Sequence, residues 1–80
     1  MTVTLRCFSH VREAFGAATV ALELPAGARA ADVEAQVRHR LPESLRRLPL
    51  RVTINQRFVD GDALVEDGDE VAVLPPVQGG

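Results

Sequence analysis

The chain has 80 residues, with nine arginines, no lysine, eleven acids and a formal net charge of −2; 46% of its residues are hydrophobic. This is enough apolar content for one small core, but it lacks the positive excess of a nucleic-acid binder and any apolar run long enough for a bilayer. The single thiol, Cys7, excludes an internal disulfide and a multi-cysteine zinc site, and residues 1–20 lack the basic-then-apolar order of a signal peptide, so a cytoplasmic location is expected.

Alternation in Val3 to Phe8 sets Val3, Leu5 and Cys7 on one side and Thr4, Arg6 and Phe8 on the other, as in a half-buried strand. Ser9 is a good helix cap, and Val11 and Phe15 lie four apart, so Ser9 to Phe15 reads as a short helix ending near Gly16. A second strand follows, with Val20, Leu22 and Leu24 inward and Pro25 at its end. Strand, short turn and strand suggest a hairpin.

Val33, Val37 and Leu41 then repeat at helical spacing, with Asp32 and Glu34 in the first turn and Arg38, His39 and Arg40 in the last, which matches the helix dipole. This main helix stops before Pro42. A brief helical turn is expected to place Leu45 and Leu48 on the core. Next come a strand with Val52 and Ile54 inward, a polar turn at Asn55 and Gln56, and a short strand with Phe58 and Val59. A connection contributes Leu64, and a Gly-containing turn leads to a last strand with Val71 and Val73 inward and Glu70, Ala72 and Leu74 outward. Five strands folded over one main helix predict an α+β, β-grasp (ubiquitin-like) roll over residues 1–74, followed by an extended C-terminal tail over residues 75–80.

Charge is segregated along the chain: seven arginines lie between Arg29 and Arg57, and six acids and no base between Asp60 and Glu70. Such a dipole could steer a protein partner, or the two segments could be ordinary solvated faces.

Candidate chemistry is sparse. His10 and His39 stand on separate predicted helices without a ligand pattern, so they read as surface histidines. Cys7 reads as core, the acids Asp67, Asp69 and Glu70 read as turn chemistry, and no metal site is expected. Phe8 and Leu74 have outward parity, and Phe58 is expected near them. If the first and last strands are neighbours, these three make an apolar patch of the kind that marks a docking face, unless each is half covered by its neighbours.

The tail carries the sharpest signal. Pro75 and Pro76 end strand pairing and stiffen an arm; at about 3.1 Å per residue, six extended residues project up to roughly 19 Å. Gly79 and Gly80 would pass through a channel that excludes larger residues. The α-carboxylate of Gly80 is ionised at neutral pH and could attack the α-phosphate of ATP, giving an acyl-adenylate open to a sulfur nucleophile. Glycine-rich ends are also common without function.

"FSHVRE", "VTINQRFV" and "DGDEVAVLPPVQGG", together with the overall length, resemble the MoaD/ThiS family of ubiquitin-like sulfur carriers, and its molybdopterin synthase branch in particular. The resemblance implies that Gly80 is adenylated by an E1-like adenylyltransferase using ATP, is converted to a thiocarboxylate with sulfur from a donor protein, and gives that sulfur to cyclic pyranopterin monophosphate to form the molybdopterin dithiolene. It implies no permanently bound cofactor, a heterotetramer with the synthase large subunit, and catalytic side chains on that subunit, this chain being the sulfur donor. By position, Gly79 and Gln78 permit insertion, Pro75, Pro76 and Val77 shape the arm, and Phe8, Phe58 and Leu74 face the partner. The chain departs from the family at Arg29, where a helix-capping threonine is frequent, and at Leu74, where an aromatic is frequent.

Three other readings stand beside this one. The sulfur could be destined for thiamine or another sulfurated metabolite. The chain could be a protein modifier joined to lysines, although with no lysine of its own it cannot form lysine-linked polymers of itself. It could also be a binding module with an inert tail.

Overall fold

The structure, a computed structural model, describes residues 1–75; Pro76, Val77, Gln78, Gly79 and Gly80, on which most of the tail reading falls, lie outside the described residues. Strand β1 (Thr2–Arg6), helix α1 (Ser9–Phe15) and strand β2 (Thr19–Glu23) come first, then helix α2 (Ala30–Arg40) and a 3₁₀ turn (Glu43–Leu45), then β3 (Arg51–Ile54), β4 (Arg57–Val59) and β5 (Glu70–Leu74). The sheet order is β2-β1-β5-β3-β4. All pairs are antiparallel except β1 and β5, which run parallel with Leu5 opposite Val71 and Arg6 opposite Ala72. The α+β, β-grasp expectation is met.

The alternation read from sequence holds on the inner face. Val3, Leu5, Cys7, Leu22, Val52, Val71 and Val73 are buried there, against Val11 of α1, Val33 and Val37 of α2, and Leu41 directly after that helix. Each such aliphatic side chain taken from water stabilises the fold by about 1.5–3 kcal/mol before its entropy cost. Helix α2 lies against β3 and β5, so the central strands are dry on one side only.

Three local expectations change. Ser9 does not cap α1: Phe8 holds the N-cap position in extended conformation, and Ser9 enters the helix at φ 47°. The chain must reverse sharply after β1, so the cap falls one residue early and no side chain caps the helix. Leu64 is 59% exposed, because the neighbouring Val65 takes the inward position and bonds through its N–H to the Ala28 carbonyl at 3.0 Å. Ala72, with outward parity, is nonetheless buried; its small side chain lies in a cross-strand row between Arg6 and Thr53.

Helix α2 begins without a capping hydroxyl and is held otherwise. The Asp32 carboxylate accepts from the Arg29 N–H at 2.7 Å, and the Arg29 guanidinium, which has only donors, reaches the Asp62 carbonyl at 2.6 Å. At the other end, Arg38 donates to the carbonyls of Arg46 and Leu48, while Arg46 donates to those of Leu41 and His39. Arg29, Arg38 and Arg46 thus hold the connections at the two ends of α2.

Two measurements check this packing. Leu5→Ala empties a fully buried central position and is expected to cost about 3 kcal/mol in urea unfolding with an unchanged denaturant slope. Burial pushes the Cys7 thiol above its ordinary value of 9.0, so the fold favours the protonated form. That stabilisation is complete below the unfolded pKa and is lost as pH rises through the folded one. Alkylation of Cys7 by iodoacetamide at about pH 8 should be at least tenfold slower in the native protein than in the urea-unfolded chain.

Candidate docking face and tail root

The outer face of the sheet, opposite α2, carries the arrangement that the sequence suggested. Successive strands set Arg6, Ala72, Thr53 and Phe58 side by side: Arg6 is opposite Ala72, Ala72 opposite Thr53, and Thr53 opposite Phe58. Ala72 and Thr53 form the floor of a groove of about 340 Å³, with Arg6, Phe8 and Glu70 along one part of its lining and Gln56 and Phe58 along another; Leu74 also lines it. The structure therefore brings Phe8, Phe58 and Leu74 to one groove, and Pro75 follows Leu74 directly.

Exposure differs among the three. Phe58 is 57% and Phe8 39% exposed, whereas Leu74 is half-buried. Two guanidinium groups accompany the rings, Arg51 at 4.6 Å from the Phe58 centroid and Arg6 at 5.3 Å from that of Phe8. At such exposed sites each contact contributes about 0.5–1 kcal/mol. Arg6 also pairs with Glu70 at 3.5 Å, both side chains being about two-fifths exposed, a pair worth at most about 1 kcal/mol. The face is thus apolar in its rings, framed by opposite charges, and held loosely enough for a partner to displace water from it.

The hairpin bearing Phe58 is pinned to β5 through Asn55. Its N–H donates to the Glu70 carbonyl at 2.7 Å, its Nδ2 donates to Asp69 Oδ1 at 3.0 Å, and its Oδ1 accepts from the Glu70 N–H at 3.0 Å. Sequence reasoning recognised a polar turn here but not this lock; an Asn beginning a two-residue turn was the signal available. The acids of the 66–70 turn also serve the backbone, since Asp69 accepts from the Glu66 N–H and Asp67 from the Thr2 N–H, both at 2.8 Å, and Gly68 takes φ 85°.

A larger groove, about 440 Å³, lies on the helical side among Phe15, Leu22, Ala35, Gln36, His39 and Arg40, with Arg40 stacked 4.5 Å from the Phe15 centroid. It is remote from the root of the tail, so size does not select the site. His10 is exposed beside Glu13, His39 is exposed on α2, and among the described residues no group of three metal-ligating side chains occurs. Nor does any described helix have the length and apolar character needed to cross a membrane.

Comparison with known proteins agrees with the fold. The ThiS family model matches residues 5–80. A molybdopterin synthase sulfur carrier subunit from Chlamydomonas reinhardtii is 35% identical over 85 aligned positions covering all of both chains. Among solved structures, molybdopterin converting factor subunit 1 from Pyrococcus furiosus superposes with a TM-score of 0.80 at 29% identity, covering 96% of this chain and 99% of that one. A chain from the BexX/CysO complex of Amycolatopsis orientalis superposes with a TM-score of 0.67 at 27% identity, covering 98% and 99%. With the family model spanning nearly the whole sequence, and a β-grasp sheet of the same architecture in these relatives, the chain belongs to the ThiS family of ubiquitin-like sulfur carriers.

Proposed function

We propose that this chain is the sulfur-carrying small subunit of a molybdopterin synthase and that its working end is the Gly80 carboxylate. The observation that carries this reading is the groove of Phe8, Phe58 and Leu74 at the root of a segment ending in Gly-Gly, in a chain matched along its whole length by a molybdopterin synthase carrier. The specific destination of the sulfur rests on that relative; the family match alone leaves it open.

In this reading the Gly80 carboxylate attacks the α-phosphate of ATP on an E1-like enzyme, and pyrophosphate leaves. The terminal sulfur of a donor protein's persulfide then attacks the acyl carbon and AMP departs, giving an acyl disulfide; a second thiol attacks the donor's sulfur, forms a disulfide with it and releases the Gly80 thiocarboxylate. Gly79 and Gly80 present no side chain to the channel that receives them, and Pro75 and Pro76 have no N–H with which to continue strand pairing. The large subunit covers the outer-face groove and receives the tail, two carriers serving two large subunits. It supplies the acid–base groups for sulfur transfer to the pterin, a role for which the described residues of this chain offer no catalytic constellation. Docking buries the two rings, which the fold leaves in water, so affinity is expected to concentrate in Phe8 and Phe58.

Incubation with ATP, the activating enzyme and a sulfur donor is expected to add the mass of one oxygen-to-sulfur exchange, localised by fragmentation to Gly80 and absent from a chain lacking Gly79 and Gly80. An unchanged tail, with an activating enzyme proven on another carrier, would refute the carrier chemistry. Separately, Phe8→Ala and Phe58→Ala are expected to change folding stability by less than about 1 kcal/mol while weakening binding to the large subunit at least tenfold, as calorimetry of folding and titration would show.

A further inference from the structure

The turn between β3 and β4 has two residues, Asn55 and Gln56, closing the pair Ile54 and Arg57. Both have positive φ, 50° and 69°, which is the backbone of a type I′ turn. That geometry matches the twist of a hairpin, but it favours Asn, Asp or Gly first and Gly second. Asn55 obeys the preference and spends its amide and its N–H on β5 and the turn before it. Gln56 does not obey it. A long unbranched side chain meets a steric penalty in the left-handed region that glycine escapes.

The hairpin accounts for the backbone angle, but nothing within the fold accounts for glutamine rather than glycine at that position. Gln56 is exposed, and among the described residues no hydrogen bond to its carboxamide is found. It does, however, line the outer-face groove together with Phe8, Phe58 and Leu74. The two rings there offer apolar contact and no directional bond. Gln56 is the uncharged amide in that lining, with both a donor and an acceptor. Backbone strain retained at a surface position points to a use outside the fold.

We infer that Gln56 is a specificity-determining residue of the docking face, held in the left-handed conformation so that its carboxamide hydrogen-bonds the main chain of the protein segment that covers Phe58. This rests on the docking reading above and names one polar contact within it. The hairpin presents the amide, Asn55 fixes the hairpin to β5, and the partner supplies an exposed backbone donor or acceptor over the groove. A partner surface that covers the rings without offering a main-chain group at that point would bind less well, since the amide would lose its water without replacement.

The test uses the full chain and the cognate synthase large subunit, with thermal unfolding and titration calorimetry measured on Gln56→Gly, Gln56→Ala and Phe58→Ala. Gln56→Gly is expected to raise the unfolding midpoint by about 4 °C and to weaken binding about five- to tenfold. Gln56→Ala, which keeps a side chain at positive φ but removes the amide, is expected to weaken binding equally without raising the midpoint. A glycine variant that binds as wild type overturns the inference, as does one that melts lower. So does an alanine variant that binds normally while the glycine variant does not, which would assign the effect to turn rigidity. Loss of binding in Phe58→Ala with no loss in either Gln56 variant would sink this proposal and leave the docking face standing; no loss in any of the three would remove the docking face itself.

Discussion

A five-stranded sheet covered by helices on one side only has to solve two opposed problems with the same strands. Its inner face must be dry, and β1, β3 and β5 supply Val3, Leu5, Val52, Val71 and Val73 to pack against Val33 and Val37 of α2. In a chain of 80 residues this single layer of aliphatic contacts is nearly all the core available. Because side chains alternate, the same strands must set every second residue on the uncovered side. There the sequence uses Arg6, Thr53, Ala72 and Phe58, a mixture too polar to collapse and too apolar to be indifferent to a partner.

The outer-face groove therefore follows from the period of the strands as much as from the residues in it. Ala72 and Thr53 stay low, so the floor is flat, while Phe8 rises from the N-cap of α1 and Phe58 from β4. The arginines above the rings reduce the exposed apolar surface of the free protein at little energetic cost, since contacts of this strength are easily exchanged on binding. The sheet's order places Leu74 in the same groove, so a surface that covers the groove also meets the start of the chain's final segment.

Much of this was legible in the sequence because strands with one dry face advertise it. Val3-Leu5-Cys7 and Val71-Val73 alternate cleanly, and the helical spacing of Val33, Val37 and Leu41 identified α2. Parity alone also exposed Phe8. What the sequence did not disclose were properties set by neighbours distant along the chain. Leu64 and Val65 are both apolar and adjacent, and only the bond from Val65 to Ala28 decides which one is buried. The burial of Ala72 depends on Arg6 and Thr53 across two different strand pairs. Ser9 looks like a cap by type, but the reversal after β1 moves that position onto Phe8. The locking bonds of Asn55 reach residues fourteen and fifteen positions away, beyond any local pattern.

The central place of β5 also governs when the molecule can exist at all. β5 lies between β1 and β3 although it follows both along the chain, so until it emerges β1 has no partner on that side and the inner face lacks Val71 and Val73. Contacts spanning nearly the whole sequence make folding slow compared with locally wired helical proteins. During synthesis the sheet cannot close until β5 has emerged. A product truncated before β5 would lack Val71 and Val73 and expose two strand edges, making it a target for degradation. Folding thus depends on the presence of β5, filtering out products that stop before Glu70.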